Sequence, residues 1–364
     1  MSVLSKGCIF ALGNPLLDIT AEVTPVFLEK YGLKRNSAIL AVHEQRPMYQ
    51  EMVDKFQPIF TPGGATLNTI RYCQWLIGEN YPEACTFVGC VGTDAYASTL
   101  KDLCVNDGVN VQFYQVDNRP TGTCAVCITG QDSRSLVANL AAADCYNKDS
   151  HLKTERIWSM VEKAELFYSA GYPLTVTPDG MLTLAEYACA NDKVYCLNLS
   201  AEFLCQFFQE HMSRLLPYTD YLFGGQTESE KFSEANGGPK AKDTREIAKW
   251  ASTLPKSNKN RNRFVILNQG LDTVIVASNG EIILELELVK TPKENIVDLN
   301  SIGDSFVGGF IAGLAQGFEL PQCVKLGQAA SRYCVQKTGS VFEKEDRGSV
   351  LSDARISRKT YKNF

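Results

Sequence analysis

The sequence lacks the basic excess and the long apolar runs that would direct it to nucleic acid or to a membrane. Its 364 residues include 36 lysines and arginines against 41 aspartates and glutamates, a formal net charge of −5. Without excess positive charge the chain cannot neutralise a phosphate backbone, so we expect no nucleic-acid partner. No apolar run approaches the roughly 18 residues that cross a bilayer, and residues 1–7 lack the features of a leader segment. We therefore expect a cytoplasmic protein with no membrane partner.

The sequence also lacks the paired spacing of a zinc site. It has 13 cysteines but only three histidines, and no second Cys/His pair matches the one CxxC spacing, Cys124 to Cys127. An odd number of cysteines in apolar segments is typical of core residues in a reducing compartment. Because Cys124 and Cys127 lie three apart in a strand-like run, they should face opposite sides of a sheet. We expect core packing at both, with a redox or zinc site as the alternative.

Short apolar runs recur along the chain, each separated from the next by enough residues for a helix. These predicted strands cover residues 8–12, 86–91, 166–170, 193–199, 221–223 and 264–267. Apolar residues at three- and four-residue spacing predict helices over residues 66–77, 97–106, 180–190 and 303–317. The alternation predicts an α/β fold with a central, mostly parallel sheet flanked by helices.

Two regions, 19–61 and 111–140, interrupt this alternation, and the second contains alternating segments typical of antiparallel strands. We infer a smaller β-rich lid domain from residues 18–66 and 118–141. The large α/β domain then comprises residues 1–17, 67–117 and 142–364. Residues 239–263 are polar and locally basic, and no aromatic residue interleaves the charges at 256–263, so we predict a solvated loop after a surface helix rather than a nucleic-acid patch.

Two segments before predicted helices are candidates for a reaction site. The diglycine 63–64 precedes the predicted helix 66–77, whose free amide groups would face a polar ligand. The segment Asp298-Leu-Asn-Ser-Ile-Gly-Asp304 runs from an acidic strand end into another helix. Free amides there would hold a transferring phosphate while Asp304 accepts a proton from an attacking hydroxyl. The alternative for the diglycine segment is a tight turn, and the alternative for Asp304 is an acid that only stabilises its helix.

Together with Gly13-Asn-Pro-Leu-Leu-Asp18, these segments resemble the ribokinase-like family of carbohydrate and nucleoside kinases. The resemblance is closer to the branch that phosphorylates adenosine, whose segments are similar in the same order to Pro62-Gly-Gly-Ala-Thr-Leu-Asn68, Pro120-Thr-Gly-Thr-Cys124, Arg134-Ser-Leu-Val-Ala-Asn-Leu-Ala-Ala-Ala143 and Asn198-Leu-Ser-Ala201. It extends from residue 7 to residue 342. It implies a monomer that transfers the ATP γ-phosphate to the adenosine 5′-hydroxyl with Mg²⁺ as cofactor, producing AMP in purine salvage.

The resemblance implies roles at the matching positions. Asp304 would be the base beside Gly303, and Arg134 would reach the transferring phosphate from the lid. Implied adenosine-binding residues are Asn14, Asp18, Gly63, Gly64 and Asn68 at the ribose, and Leu40, Leu136, Ala138, Tyr172 and Phe203 at the base. Implied ATP-side residues are Asn198, Asn268, Gly270, Ser301 and Ile302, with Glu228 organising Mg²⁺ through water. Core packing is the alternative for the apolar residues at the base, foremost Leu40 and Tyr172.

Departures from the family pattern lie on the ATP side. The family reads Asp-Thr-Asn-Gly-Ala-Gly-Asp before the base, whereas this chain has Leu299, Ser301 and Ile302 at the three variant positions. Serine restricts the backbone where glycine does not. Gly225 replaces an asparagine and Asn268 a threonine. These changes leave two alternatives open: a nucleoside-binding protein or very slow kinase, and a kinase that prefers another nucleoside or a sugar.

Overall fold

Two sheets organise the chain in the computed structural model, which describes residues 4–35, 37–130, 134–240, 243–269, 273–287, 289 and 291–355. The strands are β1 Ile9–Leu12, β2 Leu16–Glu22, β3 Ala38–Leu40, β4 Ile59–Gly63, β5 Cys85–Val91, β6 Asn110–Gln115, β7 Thr123–Ile128, β8 Arg134–Asn139, β9 Leu166–Ser169, β10 Val194–Asn198, β11 Tyr221–Gly225, β12 Phe264–Gln269, β13 Thr273–Ser278 and β14 Glu281–Glu287. The α-helices are α1 Pro25–Lys30, α2 Arg46–Phe56, α3 Ala65–Ile77, α4 Ala95–Asn106, α5 Glu155–Lys163, α6 Pro178–Ala190, α7 Glu202–Phe207, α8 Gln209–Leu215, α9 Gln226–Ala235, α10 Thr244–Thr253, α11 Ile302–Ala315, α12 Leu320–Cys334 and α13 Arg347–Asp353. None of these helices is both long and apolar enough to cross a bilayer.

The larger sheet has nine strands in the order β14-β13-β12-β11-β10-β9-β1-β5-β6. Strands β1, β5, β6 and β9 to β12 are parallel, and buried apolar clusters cover both faces of the sheet. The predicted α/β fold with a mostly parallel sheet is confirmed. Because the carboxyl ends of parallel strands share one edge, the polar residues that follow β1, β10, β11 and β12 meet there.

An antiparallel pair, β13 and β14, closes one end of this sheet and was not predicted. The two strands are joined by Asn279 and Gly280, both with positive φ, which is the usual chemistry of a two-residue hairpin turn. The exposed positions of β14 alternate with half-buried ones and hold Glu281, Ile283, Glu285 and Glu287, as expected for an edge strand with one face exposed. The Asn-Gly signal was therefore present in the sequence.

The smaller sheet has five strands in the order β3-β8-β7-β2-β4. Its outer face packs under α1 and α2, where Cys127 is buried, whereas Cys124 lies on the inner face. The two cysteines thus face opposite sides, as the spacing predicts, and cannot form a common metal or redox pair. Strand β6 belongs to the larger sheet, so the antiparallel pattern begins only at β7. The lid boundaries 18–66 and 118–141 stay a prediction.

Within residues 239–263 a helix, α10, is present, but the expectation of a solvated loop after it is wrong at the basic end. Arg263 is 1% exposed and donates hydrogen bonds to the carbonyls of Leu216, Thr219, Ala251, Leu254 and Pro255. Lys256 and Arg261 both pair with the buried carboxylate of Asp220. Burial of a guanidinium is tolerated here because backbone carbonyls satisfy its donors.

We expect Arg263→Met to lower the free energy of unfolding by at least about 3 kcal/mol, because five carbonyls lose their shared donor. The control is Arg245→Met, which removes an exposed ion pair with Glu285 and should cost less than about 1 kcal/mol. Urea unfolding of both variants measures the difference. Equal losses in the two proteins would contradict the structural role of Arg263.

Candidate functional site

A cavity of about 1050 Å³ lies between the two sheets, at the carboxyl edge of the larger one. Most of the predicted site residues line it: Asn14, Asp18, Leu40, Gly64, Asn68, Leu136, Ala138, Tyr172, Asn198, Phe203, Glu228, Asn268, Ser301, Ile302, Gly303 and Asp304. Gly63 and Arg134 lie outside this lining, and Gly270 lies outside the described residues. The fold thus brings together residues that are more than 280 positions apart in sequence.

The diglycine 63–64 keeps the backbone close to two polar residues. A Cβ atom at Gly63 would lie 1.9 Å from Oδ1 of Asp18, and one at Gly64 would lie 2.2 Å from the carbonyl oxygen of Asn14. Gly64 also has a φ of +95°, which L side chains rarely adopt. These contacts leave no room for a side chain at either glycine, where the end of β4 approaches Asp18 of β2 and the carbonyl of Asn14.

Asp18 faces the cavity from β2, and burial raises the pKa of its carboxyl to about 7. The Arg71 guanidinium opposes that increase, while the nearby carboxylates of Asp304 and Asp298 add to it. A carboxyl with this pKa changes its charge near neutral pH.

Asp304 lies in the first turn of α11, which begins at Ile302. The first backbone hydrogen bond of this turn joins the Ser305 amide to the Ser301 carbonyl at 2.8 Å. The amides of residues 302–304 have no helical carbonyl to bind and carry the positive end of the helix dipole. A Cβ at Gly303 would meet no atom within 4 Å, so there is open space for an anion beside these amides.

Burial raises the pKa of the Asp304 carboxyl to about 7, and side-chain hydrogen bonds from Asn68 and Ser301 lower it. Ser301 itself has left-handed backbone angles, φ 58° and ψ 12°. For a residue other than glycine this conformation costs roughly 1–2 kcal/mol. The replacement of glycine by serine at this position therefore does strain the loop, as the sequence comparison indicated.

Arg134 begins β8 and reaches the loop that precedes α11. Its Nε lies 3.9 Å from Oδ2 of Asp298, and Nη2 donates to the carbonyl of Val297 at 3.3 Å. Asp298 also accepts the amides of Asn300 and Gly339, each at 2.9 Å. Arg134 thus joins the smaller sheet to the Asp298 loop in this structure, and its role toward phosphate stays a prediction.

Glu228 lies in the first turn of α9, one turn after Gly225. A Cβ at Gly225 would lie 2.3 Å from Oε2 of Glu228, so a larger residue there would displace this carboxylate. Among the described residues no group of three or more His, Cys, Asp and Glu side chains forms a metal cluster. A single carboxylate fits Mg²⁺, which keeps several waters and takes its remaining ligands from phosphates.

The core-packing alternative is wrong for Leu40 and Tyr172. Leu40 is 59% exposed and Tyr172 is 37% exposed, and both line the cavity. Other residues that line the cavity were not predicted from the sequence: Leu16, Thr66, Cys124, Val126, Ser200 and Ser340. The alternation of β7 was a usable signal for Cys124 and Val126, which lie two apart on the same face. Ser340 follows a helix in an irregular loop and carried no such signal.

The two raised carboxyl pKa values predict a stability that falls as pH rises. Between about pH 4 and pH 7 the folded protein holds protons on Asp18 and Asp304 that the unfolded chain has already released, so its free energy of unfolding decreases with pH. We expect Asp304→Asn to be more stable than the unmodified protein at pH 8 by at least about 1.4 kcal/mol, the equivalent of one pKa unit. The gain should be smaller at pH 5.

Urea unfolding at pH 5 and pH 8 measures this difference. The control is Asp102→Asn, at an exposed residue of α4, which should change the free energy of unfolding by less than about 0.5 kcal/mol. A gain for Asp304→Asn that is equal at both pH values would show that burial does not raise this pKa.

Comparisons with known proteins agree with the resemblance drawn from the motifs. The family described as pfkB family carbohydrate kinase matches residues 27–347. Adenosine kinase 2 of Arabidopsis thaliana is 43% identical over 341 residues, 93% of this chain and 97% of that protein. Adenosine kinase of Schizosaccharomyces pombe is 40% identical over 340 residues, again 93% and 97%.

Solved structures give the same result at the level of the fold. Anopheles gambiae adenosine kinase in complex with P1,P4-di(adenosine-5) tetraphosphate has a TM-score of 0.84 at 40% identity, covering 92% of this chain and 97% of that one. Adenosine kinase from Schistosoma mansoni in complex with 2-fluoroadenosine has a TM-score of 0.86 at 30% identity, with 95% and 99% covered. Because the family match spans residues 27–347 and the relatives agree in sequence and fold over nearly the whole length, the chain belongs to the pfkB family of carbohydrate kinases and is similar there to adenosine kinases.

Proposed function

We propose that the protein transfers the γ-phosphate of ATP to the 5′-hydroxyl of adenosine, forming AMP and ADP. The observation that carries the proposal is the Asp304 carboxyl, with a pKa of about 7, beside the free amides at the start of α11 and within one cavity. The relatives named as adenosine kinases support the same reaction.

In this reaction Asp304 acts as the general base. Its carboxylate takes the proton of the 5′-hydroxyl while that oxygen bonds to the γ-phosphorus and the bond from phosphorus to ADP breaks. A pKa near 7 suits this task, because the base is then available at neutral pH and still accepts a proton. The amides of residues 302–304 hold the phosphoryl oxygens and stabilise their charge in the transition state.

Adenosine binds across the cavity, with its ribose toward Asp18 and its base between apolar walls. The Asp18 carboxylate accepts hydrogen bonds from ribose hydroxyls, and the side chains of Asn14 and Asn68 supply further polar groups. Leu40, Leu136 and Ala138 form the wall from the smaller sheet, opposite Tyr172 and Phe203. The two aromatic ring centroids are 6.3 Å apart, close enough to form one surface for a flat base.

ATP binds on the side of Asn198, Asn268, Ser301 and Ile302. The Oδ1 atom of Asn268 is buried without a hydrogen-bond partner among the described residues, although its residue lines the cavity. A polar ligand atom would satisfy this oxygen. Mg²⁺ neutralises phosphate charge when bound, and Glu228 would hold it through water. Arg134 would add positive charge from the lid, residues 18–66 and 118–141.

The alternatives from the sequence receive less support. The relatives above bear the names of kinases, which does not favour a nucleoside-binding protein without activity. A sugar has no flat base to pack against the wide apolar walls formed by Phe203 and the smaller sheet, so these walls do not favour a sugar kinase. The predictions of a monomer and of a cytoplasmic location remain expectations.

We expect Asp304→Asn to lower AMP formation from adenosine and ATP by about 10²- to 10⁴-fold, because an amide cannot accept the proton. Asp102→Asn on the surface of α4 is the matched control and should retain full activity. The assay follows AMP at saturating Mg²⁺ and ATP, with adenosine binding measured in the same samples and ribose as a competing acceptor. Tight binding of adenosine by the unmodified protein without AMP production would reject the kinase.

We expect Glu228→Gln to raise the Mg²⁺ concentration for half-maximal activity by about tenfold, because the amide has no charge to hold the hydrated ion. The KM for adenosine should change less than about twofold. Glu230→Gln, on the same helix but outside the cavity lining, is the control. If both variants respond to Mg²⁺ as the unmodified protein does, Glu228 has no part in metal binding.

A further inference from the structure

Ser301 is a strained residue in the loop that leads to the base. Its φ of 58° lies in the region that favours glycine, and the following helix depends on it, because the Ser301 carbonyl accepts the Ser305 amide in the first backbone hydrogen bond of α11. Neighbouring contacts hold the loop in place. The Ile302 carbonyl accepts the hydroxyls of Ser305 and Ser331, at 2.9 Å and 3.0 Å. A strained conformation kept by its surroundings points to a use for the side chain that causes the strain.

A chain of polar contacts leads from Asp107 to Ser301 and sets the direction of each hydrogen bond. Arg71 donates from Nε to Asp107 at 2.6 Å and from Nη1 to Oδ1 of Asn68 at 3.4 Å. A guanidinium only donates, so the Asn68 oxygen must face it and the Asn68 amide nitrogen must face away. That nitrogen donates to Oγ of Ser301 at 3.3 Å.

The direction of these hydrogen bonds leaves the Ser301 hydroxyl proton available for one acceptor. Because Oγ of Ser301 already accepts from Asn68, its proton points elsewhere, and the Asp304 carboxylate, three residues further on in the first turn of α11, is a neighbouring acceptor whose charged form the side chains of Asn68 and Ser301 both stabilise. Arg71 and Asn68 are each 4% exposed, so water does not compete for their donors. The family pattern has glycine at position 301 and supplies no such hydroxyl.

We infer that Ser301 is a positioning residue: its hydroxyl, oriented through Asn68 and Arg71, holds the Asp304 carboxylate toward the acceptor hydroxyl. The catalytic role of Asp304 in this inference rests on the proposed function, whereas the contacts of Ser301 do not depend on it. The hydrogen bond also favours the charged form of the base, so the side chain keeps Asp304 ionised at lower pH than glycine would.

Other titratable groups face Asp304 and must be considered in any test of its charge. Asp18 across the cavity, Tyr168 on β9, Tyr172 and Cys334 at the end of α12 all respond to the Asp304 charge. The raised pKa values keep the two tyrosines and the cysteine neutral through the neutral range. Asp18 is therefore the group whose titration must be separated from that of Asp304.

The test is a carbon-13 NMR titration of the aspartate carboxyl groups in the full-length protein, with Asp304→Asn and Asp18→Asn used to assign the two signals. We expect Ser301→Ala and Ser301→Gly each to raise the pKa of Asp304 by about 0.5–1 unit, because both remove the hydroxyl donor. Ser301→Asn, which keeps a donor and tolerates left-handed angles, should stay close to the unmodified protein. Ser349→Ala on α13 is the control.

Activity provides the second readout. The pH profile of kcat/KM should move to higher pH with the same two variants, so that the loss is about three- to tenfold at pH 6 and less than twofold at pH 9. A change in Ser301→Gly alone, or an unchanged Asp304 pKa in both variants, would overturn the inference. Since the NMR titration needs no turnover, it decides the role of Ser301 even if AMP formation fails, which would reject only the proposed function.

Discussion

The site depends on one buried cation, the guanidinium of Arg71 on α3. It is 4% exposed and binds Asp107, the carbonyls of Pro62 and Ser340, and the side chain of Asn68. These partners belong to four separate parts of the chain, including the end of β4 and the loop after α12. A buried arginine without such partners would be very unfavourable, so the four segments must assemble around it. Its placement fixes the first turn of α3 and, through Asn68, the loop that carries the base.

Close packing of α11 provides the second constraint. A Cβ at Gly308 would lie 2.6 Å from the carbonyl of Thr69 on α3, and one at Gly309 would lie 2.7 Å from the carbonyl of Leu326 on α12. The helix can therefore approach both neighbours closely enough to bring Asp304 near Asn68. Burial then raises the pKa of both Asp304 and Asp18, which costs stability at neutral pH. The site keeps two carboxyls that a protein selected only for stability would replace.

The sequence predicted those features that depend on local periodicity and on spaced motifs. Parallel strands such as β5 and helices such as α3 followed from apolar patterns, whereas Asp18, on β2 of the smaller sheet, and Asp304, on α11, were connected only through the spaced motifs of the family resemblance. Long-range pairing was not predictable in this way. Neither the burial of Arg263 under five carbonyls nor the contact of Arg134 with Asp298 has a local signal, since each depends on segments that meet only after folding.

The residues that differ from the family pattern on the ATP side are compatible with one another in three dimensions, which the sequence alone cannot show. Gly225 lacks the side chain that the family pattern has, and the carboxylate of Glu228 lies in the space so released. Ser301 adds a strained backbone, but its hydroxyl accepts a hydrogen bond from Asn68 and, with Asn68, lowers the pKa of the Asp304 carboxyl. A site without function would be expected to relieve strain, because glycine at position 301 is the simpler solution. Retention of the strain beside an intact Gly303 and Asp304 favours a phosphate site that has been rearranged rather than lost.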